Sequence, residues 1–409
     1  MDCANNHNPA RDRSFSKPKY ELAQVFSKFG HDFKTRTPLL PDQHKVMHHI
    51  EVCRTTQLGG HIEKCDHCAF EKISYNSCRN RHCPKCQYLT KEQWLEDRKS
   101  ELLPVGYFHN VFTLPHELNP IVLYNKKACF DILFKSVNET LQGFAENPKW
   151  KLKGKLGWIG ILHSWDQKLL DHYHIHCLIP ACALSFDKSK WAHAKKEFLF
   201  PVKALSKIFR AKFLGHLKEL YKKQTLKFSG PCAQYKSRKD FKNLIDALFQ
   251  KNWIVYSKRP FAGPEQVLAY LGRYTHRIAI TNHRIKDISN KVSFTYKDRA
   301  DDNKTKTMAL NSDEFMRRFL LHVLPKGYTR IRHFGFLSNR NKSKNIAICR
   351  KLLGQSHIPK IKEQRSLEEK MLHLMDIDIT ECPKCKKGKL KFLKDIIRRK
   401  GKTKYFDSS

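Results

Sequence analysis

The chain is organised around one stretch, Asp171-His172-Tyr173-His174-Ile175-His176-Cys177-Leu178-Ile179. It is rich in residues that favour strands and is closed by Pro180, so it predicts a β-strand. Because successive side chains on a strand point to opposite faces, the three histidines share one face. Three imidazoles in that arrangement can hold a divalent metal ion and leave positions open for a phosphate oxygen. Taken alone, the stretch is also compatible with a half-buried strand whose histidines alternate by chance.

The neighbouring segments predict an antiparallel sheet flanked by helices. Residues 157–165 read as a second strand, and the short connection after it predicts that this strand pairs antiparallel with the histidine strand. Residues 107–114 read as a further strand. Residues 119–146 carry apolar side chains at helical spacing. These patterns predict an α+β fold.

Charge restricts the possible partners of the chain. Its 409 residues include 78 Lys and Arg against 39 Asp and Glu, a formal net charge of +39. An excess of this size predicts a polyanionic partner, since neutralising phosphates releases condensed counterions. No apolar run approaches the ~20 residues needed to cross a bilayer, and the first residues lack the apolar core of a signal peptide. We therefore expect a cytoplasmic protein associated with the bacterial nucleoid and with no membrane partner.

Cysteine spacing predicts zinc. The chain has 14 cysteines, and four of them follow the pattern C-x2-C-x14-C-x2-C, which is close to that of a structural site with four thiolates: Cys65, Cys68, Cys83 and Cys86. Four further candidates would complete a second tetrahedral site: Cys53, His61, Cys78 and His82. Spacing does not decide how the ligands divide between two ions. Cys382 and Cys385 form one more pair, which cannot close a tetrahedral site alone.

Two tyrosines supply a candidate nucleophile. Pro264 predicts the start of a helix on which Tyr270 and Tyr274 lie one turn apart, on one face. Tyrosines at this spacing usually pack in a core, but the residues around them suit phosphate: Gly272, Arg273, His276 and Arg277. A phenol ionises near pH ~10, so its target must be polarised, and a metal ion can do this. The combination predicts transesterification of a DNA strand, with Arg273, His276 and Arg277 as DNA-binding residues.

Three motifs together carry a resemblance to a known family. They are Asn76-Ser-Cys-Arg-Asn-Arg-His-Cys-Pro-Lys-Cys86, His172-Tyr-His-Ile-His176 and Tyr270-Leu-Gly-Arg-Tyr-Thr-His-Arg277. In this order they resemble the rolling-circle transposases of the group named after insertion sequence 91, and His174-Ile-His176 is similar to the motif of HUH endonucleases. The resemblance implies a zinc-binding N-terminal module and an HUH-type antiparallel sheet with flanking helices.

The resemblance also implies a mechanism. It implies Mg²⁺ or Mn²⁺ at His174 and His176, two tyrosine nucleophiles, and single-stranded DNA at element ends and target as the partner. The third metal ligand is His172 by strand alternation, or Gln266 by analogy. A plasmid replication initiator or conjugative relaxase of the HUH type, and a zinc-dependent DNA-binding regulator without catalysis, are the alternatives.

These observations divide the chain into four predicted regions. Residues 1–34 are expected to form a flexible basic arm and residues 35–103 a zinc-binding, DNA-docking module. Residues 104–340 are expected to form the catalytic domain, with a basic helical insertion near 200–250. Residues 341–409 are expected to form a basic tail with one Cys-x-x-Cys pair.

Overall fold

The computed structural model describes residues 17–150, 152–194, 199–261, 266–267, 272, 278–355, 365–375 and 377–398. Its helices are α1 (Leu22–Arg36), α2 (Pro41–Glu51), α3 (Gln87–Lys99), α4 (Asn119–Tyr124), α5 (Lys126–Glu146), α6 (Val202–Lys222), α7 (Arg238–Gln250), α8 (Ser312–Leu321), α9 (Lys342–Leu352) and α10 (Leu367–Met375). Its strands are β1 (Gly60–Cys65), β2 (Glu71–Tyr75), β3 (Tyr107–Thr113), β4 (Lys155–Trp165), β5 (Asp171–Pro180), β6 (Cys182–Leu184), β7 (Trp191–His193), β8 (Val255–Phe261), β9 (Ile285–Asp287), β10 (Val292–Asp298), β11 (Lys304–Leu310), β12 (Ile331–Gly335) and β13 (Leu390–Ile396). Among these residues, no helix is both long enough and apolar enough to cross a bilayer.

A seven-stranded sheet forms the centre of the molecule. Its order is β7-β6-β4-β5-β3-β8, and β12 also pairs with β4. The predicted antiparallel pairing of the histidine strand β5 with β4 is confirmed, with Ile161 opposite His176. The sheet is curled and flanked by helices, so the α+β prediction is confirmed.

The two faces of this sheet have different roles. Alternate residues of β5, Tyr173 and Ile175, are fully buried in a core that also contains apolar side chains of α5 and α6. The histidines point to the opposite face, because strand side chains alternate. On that face Leu178 of β5 and Ile161 of β4 belong to a second core, which includes Val267. Because Val267 packs with Leu178 and Ile161, it lies on the same side of the sheet as the histidines.

The region predicted to be a flexible arm is partly helical. From Leu22 onward it forms α1, in which Leu22 and Phe26 are completely buried. The ammonium group of Lys28 donates to the carbonyl oxygens of Ile288 and Ser289, at 3.0 and 2.7 Å. The prediction is therefore wrong for residues 22–34, because the few apolar residues of this region fall on one helical face and pack against later parts of the chain. Residues 1–16 lie outside the described residues.

The predicted C-terminal tail contributes to the N-terminal module. Its strand β13 pairs antiparallel with β1, so that Leu390 lies opposite Cys65, and the two join β2 in a three-stranded sheet. The prediction of a separate tail is wrong for residues 390–396. The residue pattern of β13 did not indicate that it pairs with β1, which lies more than 300 residues earlier in the chain.

The basic insertion is helical, as predicted, but its aromatic side chains are used in packing. The ring of Tyr221 stacks on Phe241 with centroids 3.9 Å apart, and its hydroxyl donates to the carbonyl of Lys236 at 2.8 Å. Phe228 packs edge-on against Tyr221. Tyr235 is partly buried against the same core. The sequence also allowed Tyr221, Phe228 and Tyr235 to be interpreted as stacking residues of a DNA-binding groove, but in the structure these rings pack against the core.

Acid should destabilise the fold through His322, which is 2% exposed. Its Nε2 donates to the carbonyl of Leu169 at 3.1 Å, and burial lowers its pKa from 6.5 to about 3. The unfolded chain takes up this proton at higher pH than the folded chain. Stability is therefore full above pH 6.5 and falls as the pH decreases toward 3, by about 1.4 kcal/mol per pH unit for this group.

Denaturant unfolding of the native chain and of His322→Gln, at about pH 7 and about pH 5, tests this expectation. Gln keeps a donor for the Leu169 carbonyl but cannot be protonated, so the variant should lose less stability on acidification. Equal losses in the two proteins would contradict the role of His322.

Candidate functional site

Three histidines cluster on the sheet face opposite α5. They are His163 of β4 and His174 and His176 of β5, and one ring nitrogen of each lies within 4.8 Å of the others. His163 is directly opposite His174 in the strand register, which brings the two side chains to one face. All three are less than 9% exposed. Buried imidazoles that converge in this way fit a single divalent ion.

Hydrogen bonds orient two of the three rings. Nδ1 of His174 donates to the carbonyl oxygen of His172 at 2.9 Å, so the lone pair of the neutral ring is on Nε2. That Nε2 lies 3.1 Å from Nε2 of His176, whose Nδ1 is 3.0 Å from Nε2 of His109 on β3. Burial, with a contribution from Lys258, lowers the pKa of His109 to about 4, so at neutral pH this ring can accept a hydrogen bond. Both β5 histidines therefore turn Nε2 toward a common point, as metal-binding histidines with outer partners do.

His172 does not belong to the cluster. Its ring centroid lies 4.6 Å from that of His174, but the convergent nitrogens are those of His163, His174 and His176. Its backbone carbonyl orients His174 instead. The structure therefore corrects the choice of His172 as the third histidine of the group and places His163 there.

A register shift between β4 and β5 brings His163 into this position. Trp165 lies opposite Asp171, whereas His163 lies opposite His174, so β5 advances three residues while β4 advances two. The extra residue on β5 is a bulge. Without it, His163 would lie opposite Tyr173, whose side chain is on the other face. The hairpin was predicted, but a bulge leaves no clear signal in the residues of β5.

Two further residues of the histidine face were missed from the sequence. His109, already described, is 5% exposed. Tyr256 of β8 lies opposite Val111, which in turn lies opposite His176, so its side chain shares their face. Its ring centroid is 6.3 Å from that of His109, and the side chain is 51% exposed. Strand pairing alone brings them here, since neither belongs to a motif.

Most of the predicted nucleophile segment lies outside the described residues, including Tyr270, Arg273, Tyr274, His276 and Arg277. Two described residues on either side of Tyr270 in the sequence are in helical backbone, Val267 and Gly272. Val267 is completely buried in the core that contains Ile161 and Leu178. A side chain added at Gly272 would come within 3.0 Å of Leu95 on α3. Gln266, the alternative metal ligand, is exposed.

The structure divides the cysteines differently from their spacing. Cys83 and Cys86 join Cys53 and Cys78, with the sulfur of Cys86 3.5 Å from that of Cys53 and 3.6 Å from that of Cys78. Cys65 and Cys68 instead join the cysteines of the C-terminal pair, Cys382 and Cys385. The predicted grouping of Cys65 and Cys68 with Cys83 and Cys86 is therefore wrong. The pattern reflects two separate clusters that interleave along the chain.

The two histidines predicted for a second zinc site join neither cluster in the part of the chain that the structure describes. His61 lies on β1, with Nε2 3.8 Å from a carboxylate oxygen of Glu63. His82 is adjacent to Cys83, and burial, together with Arg330 and Arg81, lowers its pKa to about 3. Four cysteines complete each cluster without a histidine, which is the closed arrangement of a structural zinc site.

Comparison with protein families gives two matches. Residues 25–114 match a family described as a transposase zinc-binding domain, and residues 157–345 match a family described as a putative transposase. The first match contains the cluster of Cys53, Cys78, Cys83 and Cys86. The second contains all three histidines of the histidine cluster. Cys382 and Cys385 lie outside both.

Comparison with individual proteins agrees with these matches. The chain is 43% identical over 375 residues to a putative transposase, y4qJ, of Sinorhizobium fredii, covering 90% of this chain and 94% of the relative. It is 28% identical over 297 residues to the transposase for insertion sequence element IS801 of Pseudomonas savastanoi pv. phaseolicola, covering 70% of this chain and 68% of that protein. No solved structure matches significantly.

Proposed function

The chain belongs to the transposases of the group named after insertion sequence 91, with a zinc-binding N-terminal domain, and from this premise we propose that it nicks and rejoins single-stranded DNA by tyrosine transesterification. The observation that carries the proposal is the cluster of His163, His174 and His176, with two Nε2 atoms already turned toward one point. The substrate would be the ends of the mobile element and its target.

The histidine cluster suits the binding of a divalent ion, proposed here as Mg²⁺ or Mn²⁺. Purely nitrogen ligands favour Mn²⁺ of these two, because Mg²⁺ prefers oxygen. When bound, the ion would withdraw charge from a non-bridging phosphate oxygen and so make phosphorus more electrophilic. His109 and the carbonyl of His172 hold the ligand rings in orientation.

The nucleophile is proposed to be Tyr270 or Tyr274. The burial of Val267 beside Ile161 and Leu178 supports this assignment, because Val267 lies at the histidine face and precedes Tyr270 by three residues in the sequence. The phenol oxygen forms a bond to phosphorus, the bond to the 3′ oxygen breaks, and that oxygen leaves as a 3′-hydroxyl. The 5′ phosphate remains on the tyrosine as an ester that conserves the energy of the broken bond.

The second tyrosine gives the proposal its strand-transfer step. It attacks a second phosphodiester and releases a second 3′-hydroxyl. That hydroxyl attacks the ester on the first tyrosine, so the phosphotyrosine bond breaks, a phosphodiester forms and the tyrosine regains its hydroxyl. The first 3′-hydroxyl resolves the second tyrosine ester in the same way. Each ester broken is replaced by an ester formed, so no nucleoside triphosphate is consumed. The net charge of +39 provides the attraction for a DNA backbone.

The experiment is a cleavage assay on labelled single strands from the DNA that flanks the gene. We expect a protein–DNA adduct that survives denaturant, forms with Mn²⁺ or Mg²⁺, and is absent in chelator. The same sequence as a duplex is the control and should yield much less adduct. Salt-dependent binding without cleavage in either metal would instead favour a non-catalytic DNA-binding regulator.

A further inference from the structure

The N-terminal module and the C-terminal segment meet at a second group of four cysteines, Cys65, Cys68, Cys382 and Cys385. The sulfur of Cys65 lies 3.7 Å from that of Cys385, and the sulfur of Cys68 lies 3.7 Å from that of Cys382. The partners are 320 and 314 residues apart in the sequence. We propose that these four thiolates bind a second zinc ion, which fastens the C-terminal strand to the N-terminal module.

The distances fit one metal ion and exclude disulfides. Zn–S bonds of about 2.3 Å in a tetrahedron place neighbouring sulfurs about 3.8 Å apart. A disulfide needs about 2.05 Å between its sulfurs. The separation of 3.7 Å across both cross-pairs matches the tetrahedral edge.

Each Cys-x-x-Cys turn is built as a metal-binding knuckle. The backbone N–H groups of His67 and Cys68 point at the sulfur of Cys65, at 3.4 and 3.5 Å, and that of Gly388 points at the sulfur of Cys385, at 3.4 Å. Such N–H groups stabilise the negative charge of a thiolate. The residues after the two turns, Ala69 and Lys386, share a left-handed backbone with φ of 55° and 53°. The turns are alike although they come from opposite ends of the sequence.

Side chains around the cluster secure the contact between the two turns. Gly388 is required at its position, because a Cβ there would lie 2.5 Å from the sulfur of Cys65. The carboxylate of Asp66 accepts the backbone N–H of Lys389 at 2.8 Å and pairs with Lys391 at 3.3 Å. These contacts join residues 66 and 389–391 directly, so the thiolates face each other in a fixed arrangement.

This corner has almost no apolar core of its own. The buried residues of its cluster are Cys65, Cys382 and Leu390, so two of the three are proposed ligands. A structure this small needs a metal ion or another crosslink to remain folded. The metal would therefore decide whether β13 stays paired with β1.

Metal analysis of the purified full-length protein tests the proposal independently of any cleavage activity. We expect two equivalents of zinc in the native chain and one in the variant Cys382→Ala with Cys385→Ala. The variant Cys65→Ala with Cys68→Ala should also hold one equivalent of zinc. The quadruple variant that combines both pairs should still hold one. The matched control is Cys129→Ala with Cys349→Ala, two buried thiols outside the clusters, which should keep two. Two equivalents in the Cys382 and Cys385 variant would overturn the proposal.

A second measurement uses only the native chain, so its result does not depend on whether the cysteine variants fold. The native chain is titrated with a zinc chelator and alkylated, and the modified cysteines are mapped by mass spectrometry. Cys65, Cys68, Cys382 and Cys385 should become reactive together, and trypsin should then cut at the lysines around residue 389. Reaction of Cys382 and Cys385 while Cys65 and Cys68 stay protected would contradict a shared ion.

Discussion

The double variant Tyr270→Phe, Tyr274→Phe is expected to form no covalent adduct with single-stranded DNA. The substitution removes the two phenol oxygens and leaves ring size and hydrophobicity nearly unchanged, so DNA binding should persist. The nucleophile supplies the oxygen atom of the covalent bond to phosphorus, so no adduct should be detectable without it. Denaturing gel electrophoresis of labelled DNA measures the adduct, and filter binding measures affinity. One of the two single variants should lose the first cleavage and the other should retain it. The tyrosine whose substitution abolishes the first cleavage is the one that attacks first.

Tyr256 provides a matched control in the same variant series. It is an exposed tyrosine on the histidine face, with its ring centroid 6.3 Å from that of His109. Tyr256→Phe removes the same atom from a described tyrosine of the histidine face and should keep the adduct. If Tyr256→Phe lost the adduct and the double variant retained it, the nucleophile would be Tyr256 and the proposed assignment would be refuted.

Replacing His163 by alanine is expected to lower the rate of strand cleavage by more than about 100-fold, since changing even an outer partner of a metal ligand costs about 10–100-fold. His163 lies opposite His174 and contributes a nitrogen to the cluster, so its loss leaves two ligands. The measurement is a single-turnover cleavage rate as a function of Mn²⁺ concentration. The variant should need much more metal to reach any given rate, because the substitution acts on metal binding.

His172→Ala is the control for this prediction. His172 precedes the cluster on β5. Its backbone carbonyl orients His174 and is kept by alanine, and its ring lies 4.6 Å from the ring of His174, centroid to centroid, but contributes no nitrogen to the cluster. We expect a small change in rate and in metal requirement. A larger loss in His172→Ala than in His163→Ala would mean that the residue chosen by simple alternation is the ligand after all.

Several features of the fold could be predicted because they depend on neighbouring residues. Alternation over Tyr173, His174, Ile175 and His176 places the histidines on one side of a strand whatever that strand pairs with. The hairpin between β4 and β5 is also local, since five residues connect the two strands. The helical spacing of Phe209 and Phe213 in the basic insertion is local in the same way, and both side chains are fully buried.

The same local arguments failed where long-range pairing mattered. His163 entered the cluster through a bulge, and His109 through the pairing of β3 with β5. The cysteines were assigned by spacing, which treats close residues as partners. The structure instead gives Cys65 and Cys68 partners more than 300 residues away, because β13 pairs with β1.

The amino-acid sequence by itself determined the ingredients of this transposase: the strand with its histidine face, the Cys-x-x-Cys turns, the excess of positive charge and the pair Tyr270 and Tyr274. These are properties of residue type and short-range geometry. Only the tertiary structure decided which ligands share a site. A metal site needs several side chains within a few ångströms, and strand register and the pairing of distant segments, not spacing along the chain, set those distances.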